Sequence, residues 1–484
     1  MHEEPVDVAT GRPERPDPVA DAPDPRRWRI LAVVLGVGFM SLLDVTIVNV
    51  AIPSIRTGLD TSAANVQWIV SGYALTFGLT LVAGGRLGDA YGRRRLMLIG
   101  LAGFVGSSAA VGFAPNAELA VVARLLQGAS AGLLTPQGSG LIQQLFRGPE
   151  RGRAFGYFGL TVSIASAAGP LLGGLVIGAA GEELGWRLLF LVNVPIGLAA
   201  MVAVARMVPG PDPDAAREHV DVPGALLLGA AVLLLLYPVV SIESGARWPL
   251  VLLVGVPFAA WGFVAWERRV SLHGRAPLLD LGLLRSIRGY GNGLVVGTLY
   301  FTGFTGVFLS AAVWLQESRD VSALHAGLLL TPFAVGSAVT SPLAGRIVDR
   351  VGRPLTVVAL VVTITGVGLV ALVAPGRETG QLWWALAPFL LVAGLGGGAV
   401  VSPNFTLTLA EVPPRMGGAA GGALQTGQRI GSALGAAVIM TTYQVVAASQ
   451  GGDAGFRAAL GCALAIMALA LVAAVHAWRT ATRT

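Results

Sequence analysis

The sequence predicts an all-α polytopic membrane protein, two six-helix bundles joined through two extra central helices, with fourteen spans in all. Three observations carry that prediction. The chain of 484 residues is 54% hydrophobic and only 12% charged, about half the roughly 25% that coats a soluble domain. Long apolar runs recur along it, each near the roughly 20 residues that cross about 30 Å of hydrocarbon. A polar segment between two such runs, Gly85-Arg86-Leu87-Gly88-Asp89-Ala90-Tyr91-Gly92-Arg93, returns at an offset of 260 as Gly345-Arg346-Ile347-Val348-Asp349-Arg350-Val351-Gly352-Arg353. A repeated hairpin between membrane-length segments marks a transporter built from two related halves.

Residues 1–29, rich in Pro, Asp, Glu and Arg, read as a disordered cytoplasmic tail with no apolar signal segment ahead of Ile30. Spans are expected at 30–53, 66–84, 95–114, 118–142, 154–180 and 187–208, an N-terminal bundle over 30–208. A linker region, 209–289, holds two more at 222–241 and 248–266. Spans at 290–315, 325–344, 355–374, 382–402, 417–445 and 456–478 form a C-terminal bundle over 290–478, and 479–484 is a second tail. Pro403, Pro413 and Pro414 interrupt the pattern between 382 and 445. Each polar hairpin follows the second helix of its half, and the offset of 260 leaves room for two helices beyond six per half. The 66 glycines fit helices that associate by close backbone approach, and the Gly/Ala run 417–423 reads as such a face.

Every one of the 33 basic residues is Arg. With the N-terminus inside, 25 of them fall on inner segments and 6 on outer ones, leaving Arg124 and Arg429 within helices. The positive-inside rule then places both termini in the cytoplasm of a cell membrane protein. The absence of Lys excludes a Walker phosphate loop and a Schiff base. One cysteine, Cys462, excludes an internal disulfide, and the five histidines form no zinc-type pair. No nucleophile, metal cluster or large soluble domain suggests an enzyme. The net charge of +6 sits in membrane-flanking loops, so it gives no nucleic-acid signal, and no cofactor is expected.

Asp44 lies midway along the first span, where a carboxylate costs about 2.5–3.5 kcal/mol on insertion scales. Desolvation favours the neutral form of a carboxyl, so a group there can load and unload a proton; the alternative is a permanent structural tie to an Arg. Arg124, in the fourth span, keeps its proton and needs a partner, for which Asp44 is the acidic candidate; Gln127 shares its helix face at i+3. Arg429 has no acidic neighbour in sequence, and snorkelling to headgroups and a functional role both stand open for it. Asp89 and Asp349 end their helices where each can accept hydrogen bonds from a helix N-terminus or an Arg, closing the inner side, or can simply be solvated. Gly169, Pro170, Gly173 and Gly174 combine a helix breaker with small residues, a kinked contact. Trp186 and Arg187 with Phe190, Asn193 and Pro195 read as an interfacial anchor and helix start. Asn49, Tyr73, Gln127, Tyr300, Phe301 and Phe304 are candidates to face a substrate cavity, since aromatics hold flat or cationic molecules without strict geometry; helix packing is the alternative for the last three.

Taken together these residues resemble the major facilitator superfamily, specifically the fourteen-span drug:proton antiporters of the EmrB/QacA type. Gly85 to Arg95, with Gly85, Arg86, Gly88, Asp89, Gly92 and Arg93, is similar to the superfamily's loop signature. Asp44-Thr46-Asn49-Ala51-Pro53, Arg124-Gln127-Gly128 and Gly169-Pro170-Gly173-Gly174 resemble first-helix, fourth-helix and antiporter motifs. The resemblance implies alternating access by two rocking bundles, a proton path through Asp44 and Arg124, and an inner latch at Asp89. It implies a monomer whose partners are protons, the lipid bilayer and a small lipophilic or monocationic substrate that is exported. The tenth span carries no acid, unlike relatives that export divalent cations. Proton-coupled uptake on the same fold is the second reading.

Overall fold

The computed structural model describes residues 24–210, 221–243, 248–273, 277–279 and 287–481; most of the N-terminal tail and the last three residues lie outside them. Among the described residues there are fourteen α-helices and no strand. In chain order they are α1 (Arg27–Gly58), α2 (Ala63–Tyr91), α3 (Arg93–Gly112), α4 (Ala117–Leu145), α5 (Gly148–Leu191), α6 (Asn193–Met207) and α7 (Val222–Glu243). There follow α8 (Gly255–Leu272), α9 (Arg288–Val313), α10 (Ala323–Val351), α11 (Arg353–Val373), α12 (Leu382–Thr408), α13 (Gly417–Gln450) and α14 (Gly452–Ala481). Helix α1 starts three residues before the expected span, because Arg27 is tied to Glu150 by paired 2.9 Å hydrogen bonds.

Twelve helical runs among the described residues are long and apolar enough to cross a membrane, against the fourteen expected. Two differences account for the gap. The expected fifth and sixth spans lie in one 60-residue run, Gly148–Met207. The seventh is a shorter apolar helix, Val222–Pro238. The 60-residue run is not straight: Gly181 takes φ 79 and ψ 167, a left-handed break that only glycine adopts readily.

The two polar hairpins fold alike. Gly92 at φ 92 links α2 to α3, and Gly352 at φ 67 links α10 to α11. The positive φ explains why a glycine stands at the same place in both copies. Pro413 and Pro414 interrupt the helical pattern as expected, and a short 3-10 turn, Pro414–Met416, opens α13.

Helices α1–α6 pack among themselves, as do α9–α14, and the two sets meet through α5 on α10 and α2 on α13. Small residues make both meetings possible. A Cβ on Gly156 would lie 3.1 Å from Pro342 Cα, and one on Gly422 would lie 2.6 Å from the Leu81 carbonyl oxygen. Gly152 and Gly345 face each other so closely that a Cβ on either would overlap the other's carbonyl. The run at 417–423 is thus a close-packing face, as its composition suggested. Helices α7 and α8 lie over the α2–α13 contact: Phe263 and Leu278 pack with Val82 and Ala423, and Val232 and Leu236 with Leu75. Trp266 fastens the pair by donating to both oxygens of Asp221 at 2.9 and 3.0 Å.

Candidate functional site

The ion pair proposed by sequence is present, and it is buried. Arg124 Nη1 lies 2.6 Å from Asp44 Oδ2, and each residue is 1% exposed. The other carboxylate oxygen accepts from Gln127 Nε2 at 3.0 Å and from Asn193 Nδ2 at 2.8 Å. Ser108 Oγ accepts from the same two amides and donates to the Phe190 carbonyl at 3.0 Å. Arg124 also donates to the Ile69 carbonyl at 2.8 Å and to Gln127 Oε1 at 2.8 Å. Its guanidinium lies 4.3 Å from the Tyr73 ring centroid and 5.5 Å from that of Phe190. Five helices, α1, α2, α3, α4 and α6, with the end of α5, therefore converge on one carboxylate. Helices α2 and α4 approach this closely because Gly128 has no side chain; a Cβ there would overlap the Tyr73 carbonyl.

The first polar hairpin forms a second charged centre where the bundles touch. The Asp89 side chain is 1% exposed. It accepts from Arg93 Nη2 at 2.7 Å and from the backbone N–H groups of Gly418 at 3.1 Å and Ala419 at 2.8 Å. Those amides are the free donors at the start of α13, where the helix dipole favours an anion. Arg93 Nη2 donates to the Pro414 carbonyl at 2.9 Å, and its Nη1 reaches the Gly140 carbonyl and Gln144. Gly85 permits the approach, since a Cβ there would overlap the Gly418 carbonyl; Gly88 leaves room for Gln137; Arg86 is buried. The two bundles are further joined by Gln143 to the Leu409 carbonyl at 2.7 Å, by Ser341 to the Gly156 carbonyl at 3.1 Å and by Ser163 to Ser337 at 2.8 Å.

The second hairpin does not repeat the arrangement. Asp349 is exposed and accepts no hydrogen bond among the described residues. The corresponding helix, α5, opens with Gly148-Pro149, and Pro has no N–H to offer a carboxylate. Gly169 and Gly173 pack α5 against α1: a Cβ at 169 would overlap Thr46, one at 173 would lie 3.3 Å from Ile47, and Thr46 Oγ1 donates to the Ala165 carbonyl at 3.1 Å. Gly174 faces Leu324 of the other bundle. Pro170 and Asn49 lie within α5 and α1, but their side chains are outside the described residues. Tyr73 and Gln127 turn into the Asp44 cluster. Tyr300, 2% exposed, stacks at 5.7 Å on Phe304, which with Phe301, Phe308 and Phe333 builds an aromatic cluster inside the C-terminal bundle. Sequence reasoning missed Ser108 as a partner and read Asn193 as an anchor. The one signal for Asn193 was a lone amide between apolar neighbours, Leu191-Val192 and Val194.

Comparison with known proteins agrees with the architecture. The sequence pattern of the Major Facilitator Superfamily matches residues 34–436. The chain is 39% identical over 442 residues to a probable actinorhodin transporter of Streptomyces coelicolor, covering 90% of this chain and 76% of that one. It is 37% identical to the puromycin resistance protein pur8 of Streptomyces alboniger, covering 90% and 85%. It is 32% identical to the tetracenomycin C resistance and export protein of Streptomyces glaucescens, covering 92% and 81%. Among solved structures, the human organic anion transporter MFSD10 shares the fold with a TM-score of 0.68 at 18% identity, over 93% of this chain and 100% of that one. The chain is a multi-pass integral membrane protein that belongs to the Major Facilitator Superfamily.

Proposed function

We propose that the protein is a proton-driven exporter of small molecules, an antiporter of the plasma membrane that works by alternating access of its two bundles. The observation that carries the reading is the closed set of contacts around Asp44. Ionised, the carboxylate is neutralised by Arg124 and satisfied by two amides. Protonated, it leaves Arg124 as an uncompensated buried charge, a loss of several kcal/mol unless the surrounding helices move. Proton loading is thereby linked to the positions of α1 and α4. The Asp89–Arg93 centre serves as the latch that holds the bundles together at one end, and the hydrogen bonds between bundles cluster toward that end. The arginine distribution supports that end being cytoplasmic, with both termini inside. The export name of the relative at 32% identity and the resistance name of the one at 37% support the outward direction.

The reading keeps fourteen crossings. A straight helix of 60 residues would run about 90 Å, three times the hydrocarbon thickness, so the break at Gly181 divides two spans. Helix α7, with 22 residues, is long enough to cross as well. In everted vesicles, adding substrate should release protons from wild-type protein, and Asp44→Asn should abolish that release. Unchanged release from the variant removes Asp44 from the coupling. A substrate flow into cells along the proton gradient favours uptake instead.

A further inference from the structure

We infer that Arg429 is an anion-binding residue between the two bundles, and that the exported molecules carry an acidic group, a carboxylate or an ionised phenol, on an apolar body. The inference rests on the export reading and names its cargo. Arg429 stands twelve residues into α13, about 18 Å along the helix. Its guanidinium lies over the Phe77 ring of α2, in the contact between bundles, which favours a role there over snorkelling to headgroups. On α13, Gly418 and Gly422 pack on α2, whereas Gly431 and Gly435 pack on α9. At about 100° per residue, Gln425 and Gln428 point between those two packed sides, as does Gly421, which meets Ser139 of α4, whereas Arg429 points to the α2 side, over Phe77. Arg429 therefore reaches across to the N-terminal bundle, with the two amides on the neighbouring arc of α13.

None of these groups is answered by the protein. The Arg429 guanidinium makes no ion pair or hydrogen bond among the described residues; it lies 4.6 Å over the face of Phe77. The Nε2 groups of Gln425 and Gln428 and the Thr426 hydroxyl are buried without a hydrogen-bond partner. Away from helix ends and the break at Gly181, the described residues of the two bundles hold one carboxyl, Asp44, and two guanidiniums, Arg124 and Arg429. Arg124 neutralises Asp44, so the interior keeps one positive charge. A charge at that depth with no counter-ion is costly and marks a pathway. Guanidinium and amide N–H groups are donors, and the partner they lack is an acceptor with negative charge. Phe77 stacks on Tyr73 at 6.0 Å beside the Arg429 site, so an anion with an apolar ring finds both of its surfaces matched. This replaces the expectation of a lipophilic or monocationic cargo. Cargo and proton then occupy separate sites one turn apart along α2, and the gate enforces exchange, not competition for one carboxylate.

Purified protein in nanodiscs, titrated with anthracenecarboxylate, its uncharged carboxamide and the ammonium analogue of the same ring, tests the assignment. The carboxylate should bind at least tenfold more tightly than the other two. Arg429→Gln should erase that preference, and Arg429→Lys, which keeps the charge, should retain most of it. Wild-type protein that treats the three probes alike, or prefers the ammonium, overturns the inference. Equal loss of all three in Arg429→Gln also overturns it, because that marks a packing role. Asp44→Asn should end proton-driven export, and adding Arg429→Gln to it should still lower carboxylate binding. If wild-type vesicles show no proton-driven export but the Arg429-dependent preference holds, the export reading fails and the anion site stands.

Discussion

Asp89 and Asp349 occupy the same place in two copies of one motif, yet only Asp89 meets donors. Gly418 and Ala419 at the start of α13 offer free N–H groups to Asp89, whereas Asp349 lies beside Gly152 in the second turn of α5, past the opening Pro149, and accepts no hydrogen bond there among the described residues. Asp89→Asn keeps the shape but removes the charge and turns an amide N–H toward other donors. Charge-assisted hydrogen bonds of this kind are worth about 2 kcal/mol, so the latch equilibrium should shift roughly thirtyfold toward opening. The rate of maleimide labelling at Ser139→Cys, in a Cys462→Ser background, reads that shift, since Ser139 is 1% exposed and lies against Gly421. Asp349→Asn should leave the rate unchanged. Equal effects from both variants would remove the latch from Asp89. Charge explains what was legible at this scale. Asp44 and Arg124 were singled out in sequence because ionisable groups stand out in apolar runs, and Gln127 because it shares the helix face of Arg124 at i+3. Ser108 and Asn193 were not, because small neutral polar residues are ordinary in helices and only the fold brings them to one carboxylate.

At the scale of the helix, contact between bundles is set by glycine. The 417–423 run could be read as a packing face from composition alone, but its partner could not, because nothing in sequence pairs Gly422 with the Leu81 carbonyl. The aromatic trio on α9 shows the converse. Tyr300, Phe301 and Phe304 look in sequence like a cavity wall, and periodicity cannot tell that from a bundle core; in the structure Tyr300 is buried and Phe304 packs on Phe333. A side chain at Gly422 acts as a wedge between α2 and α13. Gly422→Leu should hold the latch end apart and lower transport at least tenfold while the protein still inserts and melts cooperatively. Spin labels at Arg95→Cys and Arg415→Cys, one in each bundle, should report a longer distance in this variant. Gly461→Leu, where a Cβ meets nothing within 4 Å, is the control and should leave distance and transport as in wild type. No lengthening in Gly422→Leu would show that α2 and α13 separate without effect on the gate.

For the whole molecule, the sequence repeat led to the expectation of two bundles, and the offset of 260 to that of an inserted pair of spans, where the structure has helices α7 and α8. What sequence left open is how α7 and α8 sit, and the structure lays them across the α2–α13 contact through Val82 and Ala423. A pair placed there can cross the membrane twice or lie against the bundles, and the two arrangements give different topologies. If α7 and α8 both cross, the chain before α7 and the chain after α8 lie on one side and the turn between them on the other. In a Cys462→Ser background, Gly210→Cys and His273→Cys should then react with a membrane-impermeant maleimide only from the cytoplasmic side, and Gly245→Cys only from outside. If neither crosses, all three positions label from the cytoplasmic face and the span count falls to twelve; if α8 alone crosses, Gly210→Cys and Gly245→Cys label from one face and His273→Cys from the other, which would place the two bundles in opposite orientations. That outcome conflicts with the matching hairpins at Gly92 and Gly352, whose arginines would then face opposite sides of the membrane. The labelling pattern therefore tests the span count and the shared orientation of the two halves together.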